Sequence, residues 1–447
     1  MTPRKVLPYL ILFLVLAGGY WGLTWRQERR EAREAEGKKV FAVKADDIQD
    51  LALRKGAEEI RLARREKDWE IVQPLKAPAD QQVVTAMLAT LGRLQKERDL
   101  GTVKDLKNFG LEKPALTLAF TAAGQPHQLL VGAKAPGERY YYVLRDQEPQ
   151  VLLVNAGDKE SLDRSLTALR DKTLMTFQED QVKAVRLRVD HQKAELSRDG
   201  SRWRWAGHEE TAVRPDRVQA LLRQLQYARV REFVAEAPGN PASYGLAPRP
   251  QGEVVLETEK TKLTLYLGGK TKDGVYARLG TSGPVVLVDK DLPANLAKAA
   301  GSLEDRRLWR GDLSQVARVV WGPPAKPWVA VKEKDFWNLT GPDGQHVRQH
   351  AARVEMALRR LQDLEFMRLL PQAPGAGEEA ALVTLSDASG KLLYHLGEKG
   401  KKAGKDLEVR AEAEGKAVGA LISARDYDQW QGEMERLTQP PKAGPKF

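Results

Sequence analysis

The sequence predicts an α+β protein in which a single N-terminal transmembrane helix precedes three tandem homologous domains of mainly antiparallel sheet plus helices. Three observations support this prediction: an uncharged apolar segment near the start, an internal repeat of 134 residues, and strand and helix patterns without βαβ alternation. The chain has 447 residues, enough for two to four domains. Its 42% hydrophobic and 30% charged residues are typical of a folded protein.

The first element is the uncharged segment at residues 6–25. Twenty helical residues span about 30 Å, the thickness of the hydrocarbon core of a bilayer. Tyr20, Trp21 and Trp25 lie at its end, where aromatic rings favour the headgroup layer. The segment is therefore predicted to be an uncleaved membrane anchor. The alternative is a cleaved signal peptide, for which residues 17–19 offer the small side chains of a cleavage site.

The anchor is followed by a charged segment, residues 26–39, which is predicted to be a helical stalk and a solvated spacer. Positive charges flank the anchor on both sides, so their count mildly disfavours an outside location for the bulk of the chain. We nevertheless expect that bulk outside the cytoplasm, because a large folded region usually follows an N-terminal signal anchor in this orientation. The chain is therefore predicted to cross a membrane once, and the family resemblance given below implies that this is the bacterial inner membrane.

The rest of the chain repeats itself three times. Trp69, Trp203 and Trp337 follow charged turns at intervals of 134 residues, and each precedes an amphipathic helix that ends in a similar sequence. Further matches join the repeats: NFGLEKP at 108–114 with SYGLAPRP at 243–250, the glycines Gly132, Gly268 and Gly397, and RDKTL at 170–174 with EDRRL at 304–308. The predicted domains are therefore residues 1–39 (anchor and stalk), 40–176, 177–311 and 312–447. The last is divergent, since it lacks the FGL or YGL motif.

Within repeat two, alternating polarity predicts a meander of strands over residues 182–205. Pro215 then starts a helix whose apolar stripe includes Val218, Leu222 and Leu225. Four more short strands follow, at residues 252–258, 262–269, 275–279 and 284–292. A second helix is predicted at about 294–308. This order of strands, helix, strands and helix favours an antiparallel sheet.

The chain resembles a catalogued family without a defined function, the domain of unknown function 4340. The resemblance is carried by the anchor at 6–25, the WEIVQPLKAPAD segment at 69–80 and the FGL and YGL motifs followed by proline. It implies a single-pass protein of the bacterial envelope, often encoded beside gliding-type ABC exporter components. The implied partners are the membrane and an ABC-type permease or ATPase complex.

Known catalytic and cofactor motifs are incomplete in this sequence. Cysteine is absent, which excludes thiolate catalysis, disulfides and cysteine-bound metal. HEETA at 208–212 has Ala212 where H-E-x-x-H needs its second histidine, and Gly269-Lys270-Thr271 lacks the first glycine of a P-loop. Gly404-Lys405 fails in the same way, so the lysines around it are interpreted as a solvated hairpin. No catalytic, cofactor-binding or metal-binding residue is predicted.

Two histidines stay open as metal ligands, and three tyrosines stay open as contacts for a partner protein. His346 and His350 are four residues apart, which would let them share a helix face and hold one metal ion, although no third ligand is evident. The repeated tryptophans are expected to fill the seam between sheet and helix as core residues. Tyr140, Tyr141 and Tyr142 are candidates for a partner contact.

The net charge of +11 arises from 72 basic and 61 acidic residues that are interleaved along the chain. This pattern predicts a mildly basic surface without a stripe that could follow phosphates, and hence no nucleic-acid partner. The predicted function is a non-enzymatic accessory or scaffold protein of the envelope, without a cofactor. The alternatives are a cell-wall glycan-binding protein and an envelope hydrolase with a site between domains.

Overall fold

The computed structural model describes residues 21, 36–207, 211–237, 239–375, 381–401 and 406–440. The predicted anchor, apart from Trp21, and the stalk before residue 36 lie outside the described residues. Within the described part, no helix is both long enough and apolar enough to cross a bilayer.

The first sheet is a nine-stranded antiparallel sheet in the order β4-β3-β2-β1-β6-β7-β8-β9-β5. The strands are β1 (Ile48–Lys55), β2 (Glu58–Arg65), β3 (Asp68–Gln73), β4 (Ala77–Pro78), β5 (Arg98–Thr102), β6 (Leu116–Ala122), β7 (Gln125–Lys134), β8 (Tyr140–Arg145) and β9 (Gln150–Asn155). Helix α1 (Gln81–Arg93) begins where the Asp80 carboxylate accepts hydrogen bonds from the amides of Gln82 and Val83. The short helices α2 (Ala156–Leu162) and α3 (Leu166–Leu169) follow β9.

The second sheet has eight strands in the order β12-β11-β10-β14-β15-β16-β17-β13. They are β10 (Val182–Val189), β11 (Gln192–Asp199), β12 (Arg202–Trp205), β13 (Glu232–Ala235), β14 (Gly252–Thr258), β15 (Lys262–Lys270), β16 (Val275–Leu279) and β17 (Val285–Val288). Helix α4 (Pro215–Tyr227) starts at Pro215 and buries the predicted apolar stripe, which confirms that prediction. Helix α5 is Leu292–Gly301, so the second helix predicted at about 294–308 ends earlier than expected.

The third sheet has nine strands in the order β21-β20-β19-β18-β23-β24-β25-β26-β22. They are β18 (Arg318–Gly322), β19 (Trp328–Glu333), β20 (Phe336–Thr340), β21 (His346–His350), β22 (Phe366–Leu369), β23 (Ala381–Ser386), β24 (Leu392–Lys401), β25 (Asp406–Ala413) and β26 (Lys416–Ser423). Helix α6 (Ala351–Gln362) precedes β22, and helix α7 (Ala424–Leu437) follows β26.

The three sheets share one topology. In each, a meander is followed by a helix, and the next strand (β5, β13 or β22) pairs at the far edge of the sheet with the last strand. The third sheet reproduces the order of the first strand by strand, although the third repeat lacks the FGL motif. The second differs by having only an isolated bridge, Arg204 with Ala212, at the place of β4. The predictions of an α+β class and of repeated antiparallel domains are confirmed.

The compact units of the chain do not coincide with the three predicted domains. One unit comprises residues up to 176 with 225–251 and 265–292, and the other comprises 177–224, 252–264 and residues from 293 onward. The first contains the whole first sheet, the second the whole third sheet, and strands of the second sheet occur in both. The predicted boundaries at 39, 176 and 311 therefore stay predictions.

A short connector enters each repeat in the same way. Connector one is residues 38–40, connector two is 171–174 and connector three is 305–308. The amides of Val40, Leu174 and Leu308 donate to the carbonyls of Leu94, Ala228 and Leu364, at 2.7, 3.3 and 3.4 Å. Two residues before each of these donors, a connector carbonyl accepts a hydrogen bond from the repeat that is entered. These bonds join Lys96 to Lys38 (2.8 Å), Val230 to Lys172 (2.7 Å) and Phe366 to Arg306 (2.9 Å). The end of the stalk thus occupies in repeat one the position that each repeat's closing segment occupies in the next repeat.

Connectors two and three are also bonded to the repeat that they leave. The amides of Asp171 and Asp305 donate to the carbonyls of Pro78 and Ala212, at 3.0 and 2.7 Å. Each of these connectors is therefore held on both sides by backbone hydrogen bonds. The interpretation of residues 26–39 as a solvated spacer is wrong for residues 38 and 39, because their backbone is paired with repeat one.

This pairing predicts where the anchor can be removed. Deleting residues 1–35 should leave the stability of repeat one unchanged. Deleting residues 1–39 should lower it by about 1 kcal/mol, because the amide of Lys96 loses its carbonyl partner on Lys38. Denaturant titration of the two truncated proteins measures the difference. Equal stability would show that the first connector contributes nothing to repeat one.

Candidate functional site

The motifs that repeat between the first two domains meet in space. In repeat one, a 3-10 turn at Lys107–Phe109 ends at Gly110, whose φ is +67°. A Cβ added to Gly132 would lie 2.2 Å from the carbonyl oxygen of Phe109. Only glycine lets the turn approach strand β7 so closely, which explains why both glycines belong to the motif.

Repeat two builds the same contact. A 3-10 turn at Pro241–Tyr244 ends at Gly245, with φ of +68°, and a Cβ on Gly268 would lie 2.2 Å from the Tyr244 carbonyl oxygen. The rings of Tyr244 and Tyr276 are 5.1 Å apart and nearly perpendicular. Phe109 and Tyr142 make the equivalent pair at 4.8 Å. These signature residues thus attach a loop to the sheet, and their arrangement is one of packing.

The third repeat replaces this contact with a different one. A Cβ on Gly419, in β26, would lie 2.8 Å from the carbonyl oxygen of Gln372 and 2.9 Å from Pro374. Arg410 donates a hydrogen bond of 3.0 Å to the carbonyl of Pro374. In repeat three a proline-containing segment thus packs against β26, the strand that corresponds to β9 of repeat one.

The histidine pair does not share a helix face. His346 and His350 are the two ends of strand β21, and His350 caps helix α6 by accepting from the amide of Ala352 at 3.3 Å. Four residues of extended strand separate them by about 13 Å, too far for one metal ion. That part of the metal hypothesis is wrong. In the described residues, no group of three or more His, Asp or Glu side chains is arranged to hold a metal.

The structure describes the incomplete P-loop motif at residues 269–271 and the tyrosines of β8. Thr271 forms a turn in which its hydroxyl accepts from the amides of Asp273 and Gly274, as expected for a loop and not for a phosphate cradle. His208 and the segment around Gly404 lie outside the described residues. Tyr141 packs against the core of repeat one with Lys159 5.2 Å above its ring. Tyr141 and Tyr142 therefore have packing roles.

The repeated tryptophans are not equivalent. Trp69 and Trp337 are 4% and 1% exposed, which confirms that both are core residues. Trp203 is only half-buried, so its prediction as a core residue is wrong. The residue that begins the preceding 3-10 turn differs as well. Ala45 and Leu313 pack against the cores of repeats one and three, whereas repeat two has Glu179 at that position.

Trp203 lines an open cleft between the β11–β12 hairpin and helix α4. The cleft has a volume of about 620 Å³. Its other walls are Glu179, Asp180, Arg198, Ser201, Pro215, Asp216, Gln219 and Leu222. Arg198 lies 5.9 Å from the centre of the Trp203 ring and donates to the carbonyls of Asp180 (2.9 Å) and Gly200 (3.2 Å). We refer to this site as the Trp203 cleft.

The charges of the Trp203 cleft are largely compensated. Asp216 accepts two hydrogen bonds from Arg214, at 3.0 and 2.7 Å, and these bonds lower the pKa of Asp216 below its usual value. Glu179 is 3.5 Å from Arg223. The side chains of Ser201 and Gln219 make no hydrogen bond within the described part of the chain. The cleft thus offers an aromatic ring beside free hydroxyl and amide groups.

A second charged cluster lies at the connector between repeats two and three. Asp305 is 4% exposed, and its carboxylate accepts from Arg307 at 2.9 and 2.8 Å. Arg214 donates to Asp363 at 3.1 Å and to Glu365 at 3.4 Å. Burial acts to raise the pKa of Asp305, but the hydrogen bonds from Arg307 and the charges of Arg307 and Arg310 lower it overall. This cluster holds the connector in place.

Asp305→Asn is expected to lower the free energy of unfolding by about 1 to 2 kcal/mol at pH 7, because Arg307 loses its charged partner. A depressed pKa stabilises the fold above the unfolded value and ceases to do so as the pH falls through the folded value. The difference between the two proteins should therefore shrink below about pH 4. Urea unfolding between pH 3 and 7 measures it, and a difference independent of pH would contradict the assignment.

The fold and its loop contacts define a class of tandem α+β proteins in which every domain is an antiparallel sheet covered by helices. The model of the family "Domain of unknown function (DUF4340)" matches residues 69–234 and 203–383, which together cover more than half of the sequence. The chain belongs to this family. The two matches start at Trp69 and Trp203, and each extends across one connector into the next repeat. The comparison with curated proteins gave no match.

Proposed function

We propose that the protein is a membrane-anchored, non-enzymatic scaffold of the bacterial envelope and an accessory subunit of an ABC-type transport or gliding-type complex. The observation that carries the proposal is the connector that recurs from the stalk onward. Backbone hydrogen bonds join connectors two and three to the repeat that each one leaves and to the repeat that it enters. A scaffold that presents domains from a membrane anchor needs such defined connections, whereas a catalyst has no evident use for their repetition.

The proposal places residues 6–25 across the inner membrane and the domains outside the cytoplasm. Its support is the length and apolar character of that segment. When a reporter enzyme that works only outside the cytoplasm is fused after Phe447, we expect it to be active. Arginines at both Leu12 and Leu14 should abolish this activity, since each charge near the bilayer centre costs roughly 2.5 to 3.5 kcal/mol. Activity of a cytoplasmic reporter instead would reverse the proposed orientation.

Co-purification tests the accessory role. The full chain, extracted from membranes with detergent, should retain an ABC-type permease or ATPase. The protein without residues 1–35 is the matched control, because it keeps the connector at residues 38–40 and loses the anchor. Loss of the partner from this control would assign the contact to the membrane segment, and retention would assign it to the domains. Absence of any ABC-type subunit from both preparations would contradict the proposal.

Two alternatives have different expected outcomes. A cell-wall glycan-binding protein, which the Trp203 cleft favours, would be retained on purified wall fragments without a transport subunit. An envelope hydrolase would neither be retained on wall fragments nor co-purify with a transport subunit. It would show hydrolysis that depends on one specific side chain. The same purified protein serves all three assays.

A further inference from the structure

The repeated tryptophan is partly exposed in repeat two, whereas it is buried in repeats one and three. The three repeats share a strand tryptophan and a basic residue five positions before it, at Arg64, Arg198 and Lys332. In repeats one and three an apolar residue at the start of the 3-10 turn packs against the core cluster that contains the buried tryptophan. Glu179 replaces that residue in repeat two, and the Trp203 cleft results. The ring of Trp203 is therefore accessible from the cleft, whereas the rings of Trp69 and Trp337 are buried.

The balance of charge around the Trp203 cleft narrows the ligand class. Its three lining carboxylates are Glu179, Asp180 and Asp216. Asp216 is paired with Arg214 and Glu179 with Arg223, whereas Arg198 lines the cleft and donates to backbone carbonyls. The carboxylates disfavour a phosphate or another anion, and Arg198 disfavours a cation beside the ring. A neutral ligand is repelled neither by the carboxylates nor by Arg198.

The uncharged groups of the cleft indicate what kind of neutral ligand fits. An indole ring offers an apolar face, and Ser201 and Gln219 offer a free hydroxyl and a free amide. A pyranose sugar has the matching construction, an apolar face of C–H groups and a rim of hydroxyls. The volume of about 620 Å³ is within the range of small-molecule sites.

We propose that the Trp203 cleft binds a neutral oligosaccharide, with one sugar ring stacked on Trp203 and its hydroxyls hydrogen-bonded to Asp180, Ser201 and Gln219. This site is independent of the proposed scaffold role, because all of its residues belong to repeat two and none to a connector. A cleft of about 640 Å³ in repeat one includes Trp69 in its lining, but the rings of Trp69 and Trp337 are 4% and 1% exposed and leave no free face for stacking. Binding therefore has a stoichiometry of one site per chain.

Calorimetric titration of the full chain in detergent tests the proposal, with chitohexaose and maltohexaose as probes. Saturable binding of at least one probe is expected with one site per chain. Gln219→Ala should weaken binding severalfold and Trp203→Ala by at least tenfold. Thr85→Ala, the equivalent of Gln219 in repeat one, is the matched control and should bind as the unaltered protein does.

A third variant separates binding from folding. Glu179→Leu introduces the residue of repeat three and should close the cleft, so that binding is lost while the unfolding temperature is kept or raised. Binding that survives Glu179→Leu and Trp203→Ala would place the sugar elsewhere and overturn the proposal. Binding of neither oligosaccharide, or saturable binding of a proline-rich peptide in their place, would overturn it as well. Failure of the co-purification experiment would leave this result unaffected.

Discussion

Trp337→Ala is expected to lower the free energy of unfolding of repeat three by about 3 to 5 kcal/mol, the usual cost of removing a large aromatic ring from a core. The side chain is 1% exposed and packs in the core with Leu339, Val354 and Leu358. Its indole nitrogen has no hydrogen-bond partner in the described structure, so no hydrogen bond is lost with the ring. Trp69→Ala should have a similar effect in repeat one, where the ring is 4% exposed.

Trp203→Ala is the internal comparison for these two variants. Its ring is half-buried beside an open cleft, and we expect a loss of only about 1 to 2 kcal/mol. Hydrogen exchange measured on the full chain assigns each loss to its own repeat, since a multidomain protein need not unfold in two states. Equal losses for all three tryptophans would show that the Trp203 cleft closes in solution.

The repeated α+β domains could be predicted from the sequence because the residues that recur between the repeats have packing roles that few other residues can fill. Strand β3, strand β12 and strand β20 each place a tryptophan at the same register position, and the helix that follows buries its leucine stripe. The glycines of the FGL and YGL motifs recur for a similar reason, since each touches a backbone atom. Patterns of this kind survive in a single sequence.

The cleft and the connectors could not be predicted in the same way. Glu179 is an ordinary surface residue in sequence, and its importance appears only when the 3-10 turn places it beside Trp203. The matching segments at 170–174 and 304–308 mark connectors two and three in the sequence, but their partners are backbone amides and carbonyls, which the side-chain pattern does not specify. The pair His346 and His350 was misplaced because a spacing of four fits a helix face, whereas the pairing of β21 with β20 makes this segment a strand.

Gly268→Ala is expected to lower the free energy of unfolding of repeat two by roughly 3 kcal/mol, because the new methyl group would lie 2.2 Å from the carbonyl oxygen of Tyr244. The backbone has to move, and the contact between the rings of Tyr244 and Tyr276 should be lost with it. Hydrogen exchange at residues 241–246 and 265–279 measures the opening of the loop.

The same substitution at Gly432 is the control for Gly268→Ala. Gly432 lies inside helix α7 with no atom within 4 Å of an added Cβ, so alanine should stabilise the protein by about 0.5 to 1 kcal/mol. The two variants thus add one methyl group each and are expected to have effects of opposite sign. If Gly268→Ala were neutral, the YGL turn would not be packed against strand β15 in solution. The repeated glycine would then have to be explained by a requirement other than packing, such as the approach of a partner's backbone to the exposed strand.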